Sequence, residues 1–226
     1  MRAMILAAGR GKRMRPLTDN TPKPLLKAGG KPLIVHQIER LLEAGMDQIV
    51  INVAWHAGLI ERALGDGSAL GVDIRYSREP EGALETAGGI RHALELLGDE
   101  PFVVVNSDVF CDFPLADLTS LAADDSAHLI LVDNPPHHRS GDFALSGGRV
   151  HFSGQSRNIE TLTYSGIGIY RPALFAALEP GVRKLRPVLE DAIAAGAVSG
   201  QHHAGTWLDI GTPERLAELD RRLGRS

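Results

Sequence analysis

Apolar residues recur along this chain with two different spacings. Short runs rich in β-branched side chains fall at Ala3–Ala8, Gln48–Asn52, Asp73–Ser77, Phe102–Asn106 and Ala127–Asp133, each with the length and composition of a strand. Between them the apolar positions change to a helical spacing. Leu33, Ile34, Ile38, Leu41 and Leu42 share one helix face, as do Leu59, Ile60, Ala63 and Leu64, and then Ile90, Ala93, Leu94 and Leu97,. Gly45, Gly65 and Gly98 follow these segments, where a helix stop is expected,. Strands alternating with helices predict an α/β, three-layer, Rossmann-like fold, its sheet mostly parallel or mixed and covered on both faces. Further on, "GDFALSGGRVHF" predicts a hairpin turning at Gly147-Gly148, and "TLTYSGIGIY" one more strand,. Helices are expected over Pro172–Leu178, Leu185–Ala195 and Pro213–Leu223, the last with Thr212 as N-cap and Pro213 in first position,.

Composition narrows the classes. With 226 residues, 43% of them hydrophobic and 23% charged, the chain suits one α/β core and is short for two, so one domain over 1–226 is expected. A net charge of −4 and a pI of about 6.1 offer no general attraction to nucleic acid or to an anionic membrane,. A single cysteine, Cys111, excludes an intrachain disulfide and a Cys-based zinc cluster,. With no nucleophilic partner visible it reads as a small buried filler. The apolar run Ala3–Ala8 is shorter than a signal-peptide core, and no stretch approaches a membrane span,. A cytoplasmic monomer or small homo-oligomer is expected.

Candidate chemistry begins at the end of the first strand, in "LAAGRGKRMRPLTDNTPKPLL". A dinucleotide fingerprint starting at Gly9 would need glycine at Met14; a Walker loop ending at Gly11-Lys12 would need glycine at Leu6 and Ser or Thr at Arg13,. Both templates fail. What remains is a loop of small residues, Ala7 to Gly11, whose backbone N–H groups can approach an anion closely,. Arg10, Lys12, Arg13, Arg15 and Lys23 concentrate positive charge around it. Lys23 lies between Pro22 and Pro24, so it is expected on a stiff extended segment,. Ligands of open α/β sheets collect beyond the carboxyl ends of strands. There "FVVVNSDVF" releases Asn106, Ser107 and Asp108, and "TWLDIGTPERL" supplies Asp209. Two carboxylates beside an electropositive loop suit Mg²⁺ bridging protein to phosphates.

Three blocks carry a resemblance over nearly the whole chain. "LAAGRGKRMRPLTDNTPKPLL", "VNSD" and "WLDIGTPERL" are similar to the signatures of the sugar-phosphate nucleotidyltransferases, in the family's order. The resemblance implies the nucleotide-diphospho-sugar transferase fold. It implies that a sugar 1-phosphate attacks the α-phosphorus of a nucleoside triphosphate, with Lys23 on the phosphates undergoing transfer, Arg13 on the leaving pyrophosphate, and Asp108 and Asp209 on Mg²⁺. Ala8, Gly9, Gly11, Lys12, Ala83, Glu85, Thr86 and Gly88 become nucleotide candidates, although Arg10, Lys12 and Arg15 are also read simply as solvated loop charges. Ala87 stands where the family's helix start carries a further glycine.

"VDNPPHHRSGDF" resembles the matching segment of the small uridylyltransferases that act on N-acetylmuramic acid 1-phosphate. UTP and that sugar phosphate are the implied substrates, with UDP-N-acetylmuramic acid and pyrophosphate as products. Asn106, Asp142, Ser165 and Gly166 are then sugar-side candidates, with Lys184 a weaker one. His137 and His138 would face the lactyl carboxylate or simply the solvent; two histidines without a third ligand make no zinc site. Mannose 1-phosphate guanylyltransferase and glucose 1-phosphate thymidylyl- or uridylyltransferase are alternatives within the class. A non-catalytic nucleotide-sugar-binding subunit and a dehydrogenase belong to other classes.

Overall fold

The computed structural model describes residues 1–80, 84–118, 120–152 and 160–224. Its strands, in chain order, are β1 (Ala3–Leu6), β2 (Lys27–Ala28), β3 (Lys31–Pro32), β4 (Gln48–Val53), β5 (Asp73–Arg78), β6 (Phe102–Asn106) and β7 (Val109–Cys111). They continue with β8 (Ala127–Val132), β9 (Phe143–Ser146), β10 (Arg149–Phe152), β11 (Thr161–Tyr170), β12 (Val198–His203) and β13 (Trp207–Asp209). The α-helices are α1 (Leu33–Glu43), α2 (Ala57–Leu64), α3 (Glu85–Leu97), α4 (Ala173–Ala176), α5 (Leu185–Ala194) and α6 (Pro213–Leu223).

Nine strands form one sheet in the order β5, β4, β1, β6, β11, β8, β12, β10, β9. The half made of β5, β4, β1 and β6 is parallel. β11 then runs antiparallel to both β6 and β8, which makes the sheet mixed. Alternation along each strand sorts its side chains to opposite faces. Ala3, Ile5, Ile49, Ile51, Val103 and Val105 pack with Ile34, Ile38 and Leu41 of α1 and Ile60 and Leu64 of α2. Met4, Val50, Phe102 and Val104 face the other way, onto Ile90, Ala93 and Leu97 of α3 and Leu189 and Ile193 of α5. The three layers expected from the sequence are therefore present.

Two elements differ from the sequence expectation by more than one residue at an end. β1 ends at Leu6 rather than Ala8 because the Ala7 N–H leaves the ladder and donates to the Asn52 side-chain oxygen at 2.8 Å. The helix expected over Pro172–Leu178 keeps only α4, with Leu178 N–H closing a turn onto Phe175 O. The hairpin forms as expected, Gly147 and Gly148 both taking positive φ, which a two-residue turn of this kind requires,. α6 is capped by Thr212, whose hydroxyl accepts from Arg215 N–H at 3.4 Å.

Phe102, Tyr170 and Phe175 form a fully buried aromatic cluster, with ring centroids 6.4 and 6.2 Å from Phe102. We predict that Phe102→Ala lowers unfolding stability in urea by about 3–5 kcal/mol, the usual cost of emptying such a site. A loss below about 1 kcal/mol would mean that this cluster contributes little to the core.

Candidate active site

Register brings three strand ends into one row. Leu6 pairs with Asn52 on one side and with Asn106 on the other, so β4, β1 and β6 finish side by side. Beyond that row lies a cleft of about 450 Å³. Ala7 to Met14 form one wall, Lys23 and Pro24 another, and Asn106 to Asp108 the strand-end side; Asn52, Glu79, Glu85, Thr86 and Gly211 complete the lining.

The loop after β1 is shaped for close approach to a ligand. A Cβ at Gly9 would meet no atom within 4 Å, so its backbone faces open space. Gly11 has φ +64° and begins a 3₁₀ turn over Lys12–Met14. A side chain there would crowd the Lys23 and Thr18 side chains at 3.1 Å. Thr18 Oγ1 donates to Gly11 O at 2.9 Å and fixes the bend. Arg10, read from sequence as a solvated charge, lies with its guanidinium 4.2 Å from the Trp55 ring centre, a cation–π contact,. Lys12 and Arg13 are exposed at the rim.

Lys23 is 8% exposed and forms an ion pair with Asp108. The extended segment expected there is corrected. Lys23–Leu25 is a single 3₁₀ turn, with Leu25 N–H donating to Pro22 O at 2.9 Å and Leu26 N–H to Lys23 O at 3.0 Å. Only Pro22 ahead of it is extended. The first two N–H groups of such a turn need no internal acceptor, so Pro24, which lacks one, is tolerated there.

Backbone pairing brings the two distant acids together. β13 runs antiparallel to β7 with Asp209 opposite Val109, and Ile210 N–H donates to Asp108 O at 2.7 Å. Asp209 Oδ1 is buried and has no hydrogen bond. His137 Nε2 at 3.0 Å and the Arg215 guanidinium neighbour it as charge contacts, without an N–H aimed at it. Asp209 Oδ1, which receives no well-directed hydrogen bond, and Asp108 on the same ladder are the carboxylates that could serve a hard divalent cation as oxygen donors,. A Cβ at Gly211 would come within 3.0 Å of Asp209, 3.3 Å of Arg215 and 3.4 Å of Arg13, so this glycine lets all three side chains approach.

The remaining candidates divide. Glu85 and Thr86 line the cleft, and Glu85 holds φ +60°, a left-handed conformation that costs a non-glycine residue roughly 1–2 kcal/mol. Gly88 is not brought to the cleft: its N–H donates to Arg183 O at 3.1 Å, and a Cβ there would lie 2.3 Å from Gly181 O. Its glycine serves helix packing. Ala83 lies outside the described residues. Asn106 lines the cleft, and Gly166, with φ +83°, leaves room for its side chain. Ser165 is fully buried at a bulge, its hydroxyl accepting from Ile167 N–H at 3.2 Å. Asp142 accepts from Tyr164 N–H at 2.8 Å and lies 3.1 Å from His138 Nε2, so its carboxylate is engaged within the chain. Lys184 is exposed ahead of α5.

Sequence reasoning missed Asn52, Glu79 and Arg215. Asn52 accepts from Ala7 N–H and donates to Glu79 Oε1 at 2.6 Å, while Glu79 Oε2 accepts from Leu84 N–H at 2.7 Å. The available signal was position: both residues stand at or just past the carboxyl ends of parallel strands.

An open α/β sheet with a glycine loop, a buried lysine and paired acids beyond its strand ends defines a phosphate-handling nucleotide site. The chain belongs to the nucleotidyl transferase family, which it matches over residues 2–225. It is 55% identical to N-acetylmuramate alpha-1-phosphate uridylyltransferase of Neisseria meningitidis, with 99% of each chain covered. The protein of that name from Caulobacter vibrioides is 36% identical, covering 99% of this chain and 97% of its own. Mannose-1-phosphate guanylyltransferase catalytic subunit beta of Danio rerio is 34% identical over 95% of this chain and 62% of its own. Among solved structures, one from Bacillus anthracis, described as a candidate glucose-1-phosphate thymidylyltransferase in complex with sucrose, superposes with a TM-score of 0.87 at 22% identity over 100% of this chain and 96% of its own. That likeness bears on the fold. Within the described residues no helix is long and apolar enough to cross a membrane.

Asn52→Leu keeps volume but removes the partner of the Ala7 N–H and of Glu79 Oε1. We predict a stability loss on the order of 3 kcal/mol by chemical denaturation, together with weaker nucleotide binding by calorimetry. A variant as stable as the parent would show that this network does not hold the loop.

Proposed function

We propose that this chain is a Mg²⁺-dependent uridylyltransferase acting in the cytoplasm on recycled peptidoglycan sugar. It would join UTP to N-acetylmuramic acid α-1-phosphate and release pyrophosphate. The observation that carries the catalytic reading is Lys23, buried and charge-paired at the foot of a cleft with a basic rim. The choice of substrates is supported by the relatives that share nearly the full length of the chain.

In this reading an oxygen of the sugar phosphate forms a bond to the α-phosphorus of UTP, and the bond from that phosphorus to the β-phosphate bridging oxygen breaks. Protein groups mainly position the reactants and stabilise charge in such a displacement. Lys23 faces the phosphates undergoing transfer and Arg13 the departing pyrophosphate. The N–H groups from Ala8 to Lys12 approach the nucleotide without side-chain obstruction, and Glu85 and Thr86 flank it. Asp108 and Asp209 would hold the metal ion, which when bound neutralises phosphate charge. On the sugar side, Asn106 reaches the substrate directly. Gly166, Ser165 and Asp142 act by shaping the wall behind it.

Two measurements test the proposal. Lys23→Ala should fold normally by circular dichroism and lose about 10²–10³ in kcat, the effect expected for one charge-stabilising group; unchanged turnover would remove Lys23 from the mechanism. A panel of nucleotides against sugar phosphates, scored by pyrophosphate release, should favour UTP with the muramic sugar. Faster release from GTP with mannose 1-phosphate would overturn the substrate assignment, and no release from any pair would favour a binding subunit.

A further inference from the structure

The ladder that carries Asp108 and Asp209 at one end carries a different cluster at the other. β7 and β13 pair with Trp207 opposite Cys111, and Asp112 N–H donates to Thr206 O at 3.1 Å. β12 ends at His203, and the turn through Gly205 returns the chain to β13, which brings the imidazole over Cys111 and Asp112. Ligand atoms of Cys111, Asp112 and His203 all lie within 4.8 Å of one another, the one such trio of metal-ligating groups among the described residues.

We propose that Cys111, Asp112 and His203 form a binding site for a zinc-class divalent cation, separate from the carboxylate pair of the cleft. A thiolate, an imidazole and a carboxylate are the donors that zinc takes in tetrahedral sites, with water able to fill the fourth position. Magnesium, which demands oxygen ligands, is disfavoured by the sulfur.

The surroundings of the trio are those of an oriented ligand set. Phe113 N–H donates to Cys111 Sγ at 3.5 Å, and the Phe113 ring meets the His203 ring edge-on at 5.5 Å. Partial burial opposes ionisation of Asp112, yet hydrogen bonds from Thr206 and His203 hold its carboxyl below the ordinary range. Such outer partners fix ligand orientation in metal sites. Position 205 must lack a side chain: a Cβ there would sit 2.4 Å from Asp112 Oδ1 and 2.5 Å from His203 Nε2. Cys111 and Asp112 also line a second cleft of about 430 Å³, with Glu39 and Glu43 on its wall. Glu43 adds negative charge there, whereas Glu39 is paired with Lys31. Arg40 on the same wall donates to Phe113 O at 2.8 Å and Gln37 Oε1 at 3.1 Å, and its charge, close to Cys111 and Asp112, offsets part of that attraction. Burial pushes the Cys111 thiol up, so metal uptake would release its proton,.

A metal here would clasp the turn between β12 and β13 to the end of β7. It would act as a strut for the ladder, away from the transferred phosphate. The plain rival is a His203–Asp112 ion pair, 2.6 Å long, beside an inert buried thiol.

The test is titration of the full, chelator-stripped protein with Co²⁺ and then Zn²⁺, in excess Mg²⁺ so that oxygen-only sites are filled. One equivalent of Co²⁺ should give a thiolate-to-cobalt charge-transfer band and tetrahedral visible bands, both displaced by Zn²⁺, and Zn²⁺ should raise the melting temperature. Cys111→Ser should abolish the charge-transfer band. His203→Gln should weaken Co²⁺ binding about tenfold or more. Gly205→Ala should do the same with every ligand intact, which keeps the test valid if Cys111→Ser folds poorly. Absence of a thiolate band, or affinity unchanged in both His203→Gln and Gly205→Ala, would overturn the proposal.

Discussion

The cleft depends on one ammonium group being kept charged while almost out of water. Lys23 is 8% exposed, and a buried cation is tolerated only when paired and hydrogen-bonded,. Its partner, Asp108, is supplied by the end of β6. The pair therefore ties the loop that follows β1 to the end of β6, five strands later in the chain but adjacent to β1 in the sheet. Breaking a fully buried pair costs roughly 3–5 kcal/mol. The cost here is smaller, because the Asp108 side chain retains 34% exposure. That residual exposure leaves the carboxylate reachable from the cleft.

A second constraint is carried by backbone rather than by side chains. The acids are brought together by the β7–β13 ladder and the Ile210 to Asp108 hydrogen bond. Neither carboxylate has to be found by a flexible side chain. Ile210 is fully buried with Ala28, Leu33 and Leu219, so α6 and the β2–β3 hairpin pack behind the ladder. α6 thus supports from behind the ladder that carries the acids.

Periodicity made the layers legible, because alternation along β1, β4 and β6 and the helical spacing in α1 to α3 each report burial directly. The strand-end residues Asn106 and Asp108 and the Gly9–Gly11 loop were legible by the same logic, since sheet topology determines where ligands gather. Contacts between segments far apart in sequence were not. Nothing near Asn52 announces that its amide will satisfy Ala7 and Glu79, and nothing near His137 announces Asp209. The 3₁₀ turn at Lys23 escaped because local proline rules describe dihedral preference, while the turn is stabilised by its ion pair and two backbone hydrogen bonds. Gly88 was misassigned for a related reason: a glycine at a helix start suits a phosphate or a close chain crossing equally, and only packing distinguishes them.

Asp108 and Asp209 each already have a cation of their own. Asp108 is paired with Lys23, and Asp209 sits against Arg215, with Arg13 approaching the same place across Gly211. A bare pair of carboxylates at this spacing would repel an incoming triphosphate, and a bare cluster of guanidinium and ammonium groups would repel a divalent cation. The free site avoids both by holding its opposite charges in contact. Substrate and cation would then enter by exchange of partners, phosphate oxygens taking the lysine and arginines while the carboxylates turn to the cation. Exchange conserves the number of close charge pairs, so binding need not be driven by neutralising isolated buried charges, whose desolvation would destabilise the free protein. His137 adds a further link: its ring, on the loop after β8, touches the Asp209 carboxylate, and that loop is anchored to β11 through Asp142. The wall that would meet the sugar is in this way coupled mechanically to the acid that would meet the phosphate.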